Sequence, residues 1–249
     1  MSPPRIQARG LTRDFGGGAG VYGIDLEVAP GEIHALVGLN GAGKTTLMRL
    51  LLGMLRPDAG TVLLNGRPRE AAEWARVGHL VETPFAYGEL DGRTNLTLAA
   101  RLHGVGAPEA ARMVHSVLTE LNLGRYAAVP ARRLSLGNRQ RLGLAAALQH
   151  HPEIIVLDEP TNALDPAGVI LLREALVRRA AAGAGVLVSS HHLDEVARVA
   201  HRITVINRGR VIGALDPHGI DIERSFFALV HADDERAARG RPEDERRAA

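Results

Sequence analysis

The chain has 249 residues, 45% apolar and 23% charged, which is enough for one large domain with a substantial core. Thirty basic and 28 acidic side chains leave a net charge of only +2 with no basic block, which argues against a nucleic-acid partner, and the absence of cysteine excludes disulfides, thiolate metal sites and thiol catalysis. The N-terminus lacks the apolar core of a secretion signal, and no apolar run approaches the roughly 18 residues needed to span a bilayer, so a cytoplasmic protein is expected, with any membrane-spanning part supplied by another chain.

Two strands are predicted first, "IQARGL" at 6–11 and "YGIDLEV" at 22–28, separated by the glycine-rich turn "GGGAG" at 16–20. A short, largely apolar run at 33–38 reads as a buried parallel strand, and it leads through a glycine-rich loop into "KTTLMRLLLG". Leu47, Leu50 and Leu51 give that segment helical spacing, and Gly53 is placed to stop it. "TVLLNGRP" at 61–68 predicts a strand followed by an Asn-Gly turn.

From 86 to 148, Ala, Leu and Arg dominate and helical periodicity replaces strands, as in a helical insertion. "IIVLDEP" at 154–160 and "GVLVSSHH" at 185–192 are apolar strands ending in polar residues, with a helix at 167–182 between them. Such alternation implies a mainly parallel sheet covered on both faces. A hairpin is predicted over 203–215, turning at Asn207 to Gly209, and the charged stretch after it reads as disordered. His150-His151 reads as a helix end, the Arg pairs at 132–133 and 178–179 as solvated faces, and Trp74 as a packing residue.

The loop "GLNGAGKTT" carries the chemistry. Residues 38–45 fit G-x-x-x-x-G-K-[ST] between a strand and a helix. Gly38, Gly41 and Gly43 let the backbone wrap closely with its N–H groups aimed inward, and the following helix turns its positive end to the same point. Lys44, the only lysine among 30 basic residues, can reach the β- and γ-phosphates of a nucleotide as a compact point charge. Thr45 can offer its hydroxyl to Mg²⁺. At the end of the strand at 154–157 stand two acids. Asp158 is placed to hold Mg²⁺, and Glu159 to polarise an attacking water.

With these two halves on one chain, residues 5 to 222 resemble the ATP-binding subunit of an ABC transporter. "LSLGNRQ" at 134–140 stands in the place of the family's signature. "TNALDP" at 161–166 resembles the loop after the acids, marked by Asp165, and "SSHH" carries the γ-phosphate histidine, assigned to His191. The resemblance implies an α/β P-loop NTPase (RecA-like) core with a mainly parallel sheet, an N-terminal antiparallel β part and an inserted helical subdomain. It divides the chain into an ATP-binding core over 1–85 and 149–222, a helical subdomain over 86–148 and a disordered tail over 223–249.

The resemblance also implies that Phe15 stacks on adenine and that Asn40 and Thr46 join the ATP site. Two copies meet head to tail, so that Ser135 and Gly137 of one reach the ATP of the other, and a separate permease completes a complex on the inner face of the membrane. The chain departs from the family pattern in two places. The signature has Leu136 and Asn138 for Gly and Gln, and Glu82 stands where most members carry a Gln that touches Mg²⁺. Glu at that position, followed by "TPFAY", is similar to the subgroup of lantibiotic-immunity and bacitracin-resistance exporters. A soluble ABC-type ATPase without a permease and a non-hydrolysing regulatory module are the alternatives. Intact Glu159 and His191 count against the second of these.

Overall fold

The computed structural model describes residues 3–69, 71–84 and 86–239. Two sheets share the core. β1 (Ile6–Gly16), β2 (Ala19–Val28), β4 (Ala59–Leu64) and β5 (Arg67–Pro68) form an antiparallel sheet in the order β2-β1-β4-β5. β3 (Ile33–Val37), β6 (Val77–Leu80), β7 (Ile154–Leu157), β8 (Gly185–Ser190), β9 (Arg202–Asn207) and β10 (Arg210–Leu215) form the second, in the order β10-β9-β3-β8-β7-β6. Every pairing in it is parallel except that of β10 with β9.

The central strands are buried on both sides, which explains their unbroken apolar runs. Alternate residues go to opposite faces. Ile155, Leu157, Val186 and Val188 join the core beneath the helices, while Ile154, Val156 and Leu187 join the core shared with the antiparallel sheet. α1 (Lys44–Leu51) packs in this second core through Leu47, Met48, Leu50 and Leu51, and it ends before Gly53, whose φ of +68° no β-substituted residue adopts readily. The Asn65-Gly66 turn has positive φ at both residues, the geometry of a tight hairpin turn.

Between β6 and β7 lie α2 (Gly92–Leu102), α3 (Ala107–Glu120) and α4 (Leu136–Leu148), and no strand intervenes among the described residues. After β7 come α5 (Pro166–Ala181) and, following β8, the short α6 (Leu193–Ala197). The expected elements therefore recur, although β1 and β2 run on to a tighter turn than the glycine cluster implied.

Two expectations change. The tail predicted to be disordered from 223 is helical as far as Arg239, in α7 (Ile222–Arg239); residues 240–249 lie outside the described part. Ile222, Phe226 and Val230, four apart, bury one stripe of α7 beside Leu215 and Ile212, and that packing outweighs the charged composition. Arg179 is not a solvated residue. Its guanidinium is buried and holds Glu120 at 2.7 and 2.8 Å, pinning α5 to the end of α3. His150, read as a helix end, lies just past α4 as expected and is half-buried, its ring stacked 3.8 Å from that of His103. Trp74 packs against the core of the antiparallel sheet, as predicted.

The buried groups set an acid limit on stability. Burial, with the His103 ring beside it, lowers the pKa of His150 to about 4, and burial with Arg202 nearby lowers that of His34 to about 4. The Arg179 guanidinium holds Glu120 at about 2. All three pKa values are depressed in the fold, so the stabilisation they give is complete above the unfolded values. It is lost from the histidines as pH falls from 6.5 toward 4, and from Glu120 as pH falls below 4.5. Thermal unfolding is expected to be level above pH 7 and to lose about 2 kcal/mol per histidine by pH 5. A melting temperature unchanged between pH 7 and 5 would refute this.

Candidate nucleotide site

The parallel strands end on one edge of the sheet, and the chemistry-bearing residues follow directly from those ends. β3 runs into the glycine loop and β7 into Asp158 and Glu159, while β8 ends on Ser189 and Ser190 and runs into His191. Gly38 has no room for a side chain, since a Cβ there would lie 2.3 Å from the carbonyl oxygen of Ile206. Gly41 and Gly43 take positive φ of 79° and 105° as the loop curls onto the N-terminus of α1. Ala42 to Thr46, with Asn40 and Gly41, line a cleft of about 290 Å³.

Lys44 is buried and its Nζ donates to the carbonyl of Gly38 at 2.8 Å. The same ammonium lies 3.3 Å from Oε1 of Glu159. Thr45 donates its hydroxyl to Oδ2 of Asp158 at 2.6 Å, and Asp158 is only 7% exposed. The two neighbouring acids diverge because Glu159 has φ +46°, a left-handed bend that aims its side chain away from that of Asp158. Ser189 links them. Its hydroxyl donates to the other oxygen of Asp158 and accepts the backbone N–H of Glu159 at 2.9 Å. His191 closes the row, with Nδ1 2.8 Å from Oε2 of Glu159. Phe15 is 51% exposed and lines the same cleft, so it is not a core residue.

The other predicted residues lie elsewhere. Glu82, at φ +69°, pairs with Arg49 on the outer side of α1 rather than with Thr45 or Asp158. Ser135 caps α4, accepting the N–H of Asn138 at 3.3 Å, and Leu136 beside it is exposed. A Cβ on Gly137 would lie 2.5 Å from the carbonyl oxygen of Ala163, so glycine lets α4 approach the loop at 161–165. Asp165 caps α5 through the N–H of Gly168 at 2.9 Å. Sequence reasoning missed Ser189, Arg49 and Arg208. In "SSHH" the histidines carry the recognisable signal, and Arg208 lines the cleft from a turn 164 residues after Lys44.

A glycine loop joining strand to helix, a buried lysine and a Thr–Asp pair at the carboxyl edge of a parallel sheet define a P-loop nucleotide-binding protein. Residues 21–162 match the ABC transporter family model, and the chain belongs to that family as an ATP-binding and ATP-hydrolysing subunit. It is 40% identical over 215 residues to the daunorubicin resistance ATP-binding protein DrrA3 of Streptomyces coeruleorubidus, covering 85% of this chain and 68% of that one. It is 31% identical over 207 residues to the lantibiotic transport ATP-binding protein SrtF of Streptococcus pyogenes, covering 83% and 89%. A solved ATP-binding subunit of an ABC transporter superposes with a TM-score of 0.78 at 29% identity, over 90% of this chain and 94% of that structure. The resemblance to the drug- and lantibiotic-exporter subgroup is thus borne out.

Proposed function

We propose that this chain drives export of a drug-like or peptide antibiotic through a separate permease, on the inner face of the membrane, by hydrolysing Mg·ATP at the cleft beside Lys44. Residues 1–85 and 149–222 form the ATP-binding core, and 86–148 form the subdomain that carries the signature. No helix among the described residues is long and apolar enough to cross a membrane, in keeping with a partner that supplies the channel. The export direction and cargo class rest on the similarity to daunorubicin-resistance and lantibiotic-transport subunits.

One observation carries the catalytic reading: Lys44, Glu159 and His191 form a contiguous row, with gaps of 3.3 and 2.8 Å, at the mouth of the phosphate loop. Lys44 and the loop N–H groups bind the β- and γ-phosphates. Glu159, oriented by His191, accepts the proton of the attacking water. Phe15 stacks on the base. Thr45 and Asp158 suit Mg²⁺, because both present hard oxygen donors, they already stand 2.6 Å apart, and Asp158 is shielded from bulk water. When bound, that ion neutralises charge developing on the phosphates. Ser135 and Gly137, at the N-terminus of α4, complete the site of a second copy, with Asp165 near the seam. The export reading has a direct test. Extracted together with its permease, the chain is expected to hydrolyse ATP faster when a lantibiotic or an anthracycline is added. A complex indifferent to both classes would remove the export reading.

A further inference from the structure

Arg208 occupies the turn between β9 and β10, and that turn is fastened to the phosphate loop. The N–H of Gly209 donates to the carbonyl of Ala42 at 2.9 Å, and its carbonyl accepts the N–H of Tyr22 at 2.8 Å. Arg208 and Gly209 both take positive φ, 46° and 71°, so the tight turn fixes where the Arg208 side chain starts. A Cβ on Gly209 would lie 2.2 Å from the carbonyl oxygen of Gly20, which places this turn on the Phe15–Gly20 side of the cleft.

The guanidinium donates to Oδ1 of Asp234 on α7 at 3.0 Å, and the two side chains are 49% and 46% exposed. Asn207, which is buried, donates to Asp233 and Asp234 at 3.0 and 3.1 Å. Asp234 therefore keeps one donor if Arg208 leaves. A half-exposed ion pair of this kind contributes little and breaks readily, whereas an arginine–phosphate contact is a strong, charge-assisted one. The charge in the cleft also calls for another cation, because Lys44 is already partly offset by Glu159.

We propose that Arg208 is a nucleotide-binding residue that exchanges Asp234 for the α- and β-phosphates of the bound nucleotide, so that α7 competes for it when the cleft is empty. This rests on the nucleotide reading of the cleft, which binding by the wild-type chain tests separately.

The test compares ATP and ADP affinities of the wild type, Arg208→Ala, Arg208→Lys and Asp234→Asn, with thermal unfolding as the folding control. Arg208→Ala is expected to weaken ATP and ADP by the same factor, about tenfold, the size of one charge-assisted hydrogen bond. Arg208→Lys should fall between that variant and the wild type. Asp234→Asn, which removes the competing carboxylate, should bind both nucleotides more tightly, and that gain should vanish in the Arg208→Ala, Asp234→Asn double variant, where a bare long-range charge effect would persist. The proposal is overturned if Arg208→Ala binds both nucleotides like the wild type, if it weakens ATP alone, or if Asp234→Asn binds no tighter than the wild type. Wild-type protein that takes up neither nucleotide would instead remove the underlying reading of the cleft.

Discussion

Replacing Glu159 by Gln is expected to leave ATP bound while lowering turnover by about 10²–10⁴-fold, the usual contribution of a general base. The amide keeps the shape of the carboxylate and its reach to His191, but it cannot accept a proton at neutral pH. It also removes the negative charge 3.3 Å from Lys44, so nucleotide affinity should hold or rise. The variant should therefore accumulate with ATP trapped, as a dimer if two copies share each site. Steady-state phosphate release and sedimentation with Mg·ATP report the two consequences. Near-normal hydrolysis would take the general-base role away from Glu159.

Lys44→Ala acts on the other side of the same pair. It removes the ammonium that donates to Gly38 and leaves Glu159 without its nearest cation, so a carboxylate would face the incoming triphosphate uncompensated. The loss of at least one charge-assisted contact predicts affinity for Mg·ATP falling by about 10- to 100-fold in titration calorimetry. Lys44→Arg should not restore it, since a rigid planar fork cannot occupy a buried channel that fits a single ammonium. That restriction gives a physical reason for a chain otherwise basic only through arginine to carry lysine here. Unchanged affinity in Lys44→Ala would mean that the phosphates bind elsewhere.

The parts of the site that could be read from the sequence are those whose chemistry is local. The phosphate loop sets its own geometry within nine residues, and Asp158-Glu159 follows directly from a strand whose apolar run marks it as buried. What could not be read depends on partners far apart in the chain. Arg179 looks like any surface arginine until Glu120, 59 residues away, closes on it. Glu82 pairs with Arg49, 33 residues away on the helix after the phosphate loop, a partner that nothing local in the sequence points to. α7 was hidden for a different reason. Its second half, from Ala232, has the composition of a solvated tail, and the stripe of Ile222, Phe226 and Val230, spaced at four in its first half, carries the packing. Ser189 was masked by the histidines that follow it, although its hydroxyl aligns both acids.

The most direct test is a single-turnover measurement of phosphate release from Mg·ATP by the wild-type chain, alone and with its membrane partner. ATP should be bound and cleaved to ADP and phosphate, with cleavage slowed by the predicted factor in Glu159→Gln and binding weakened in Lys44→Ala. A chain that neither retains Mg·ATP nor cleaves it, even with the partner present, would contradict the account at its base.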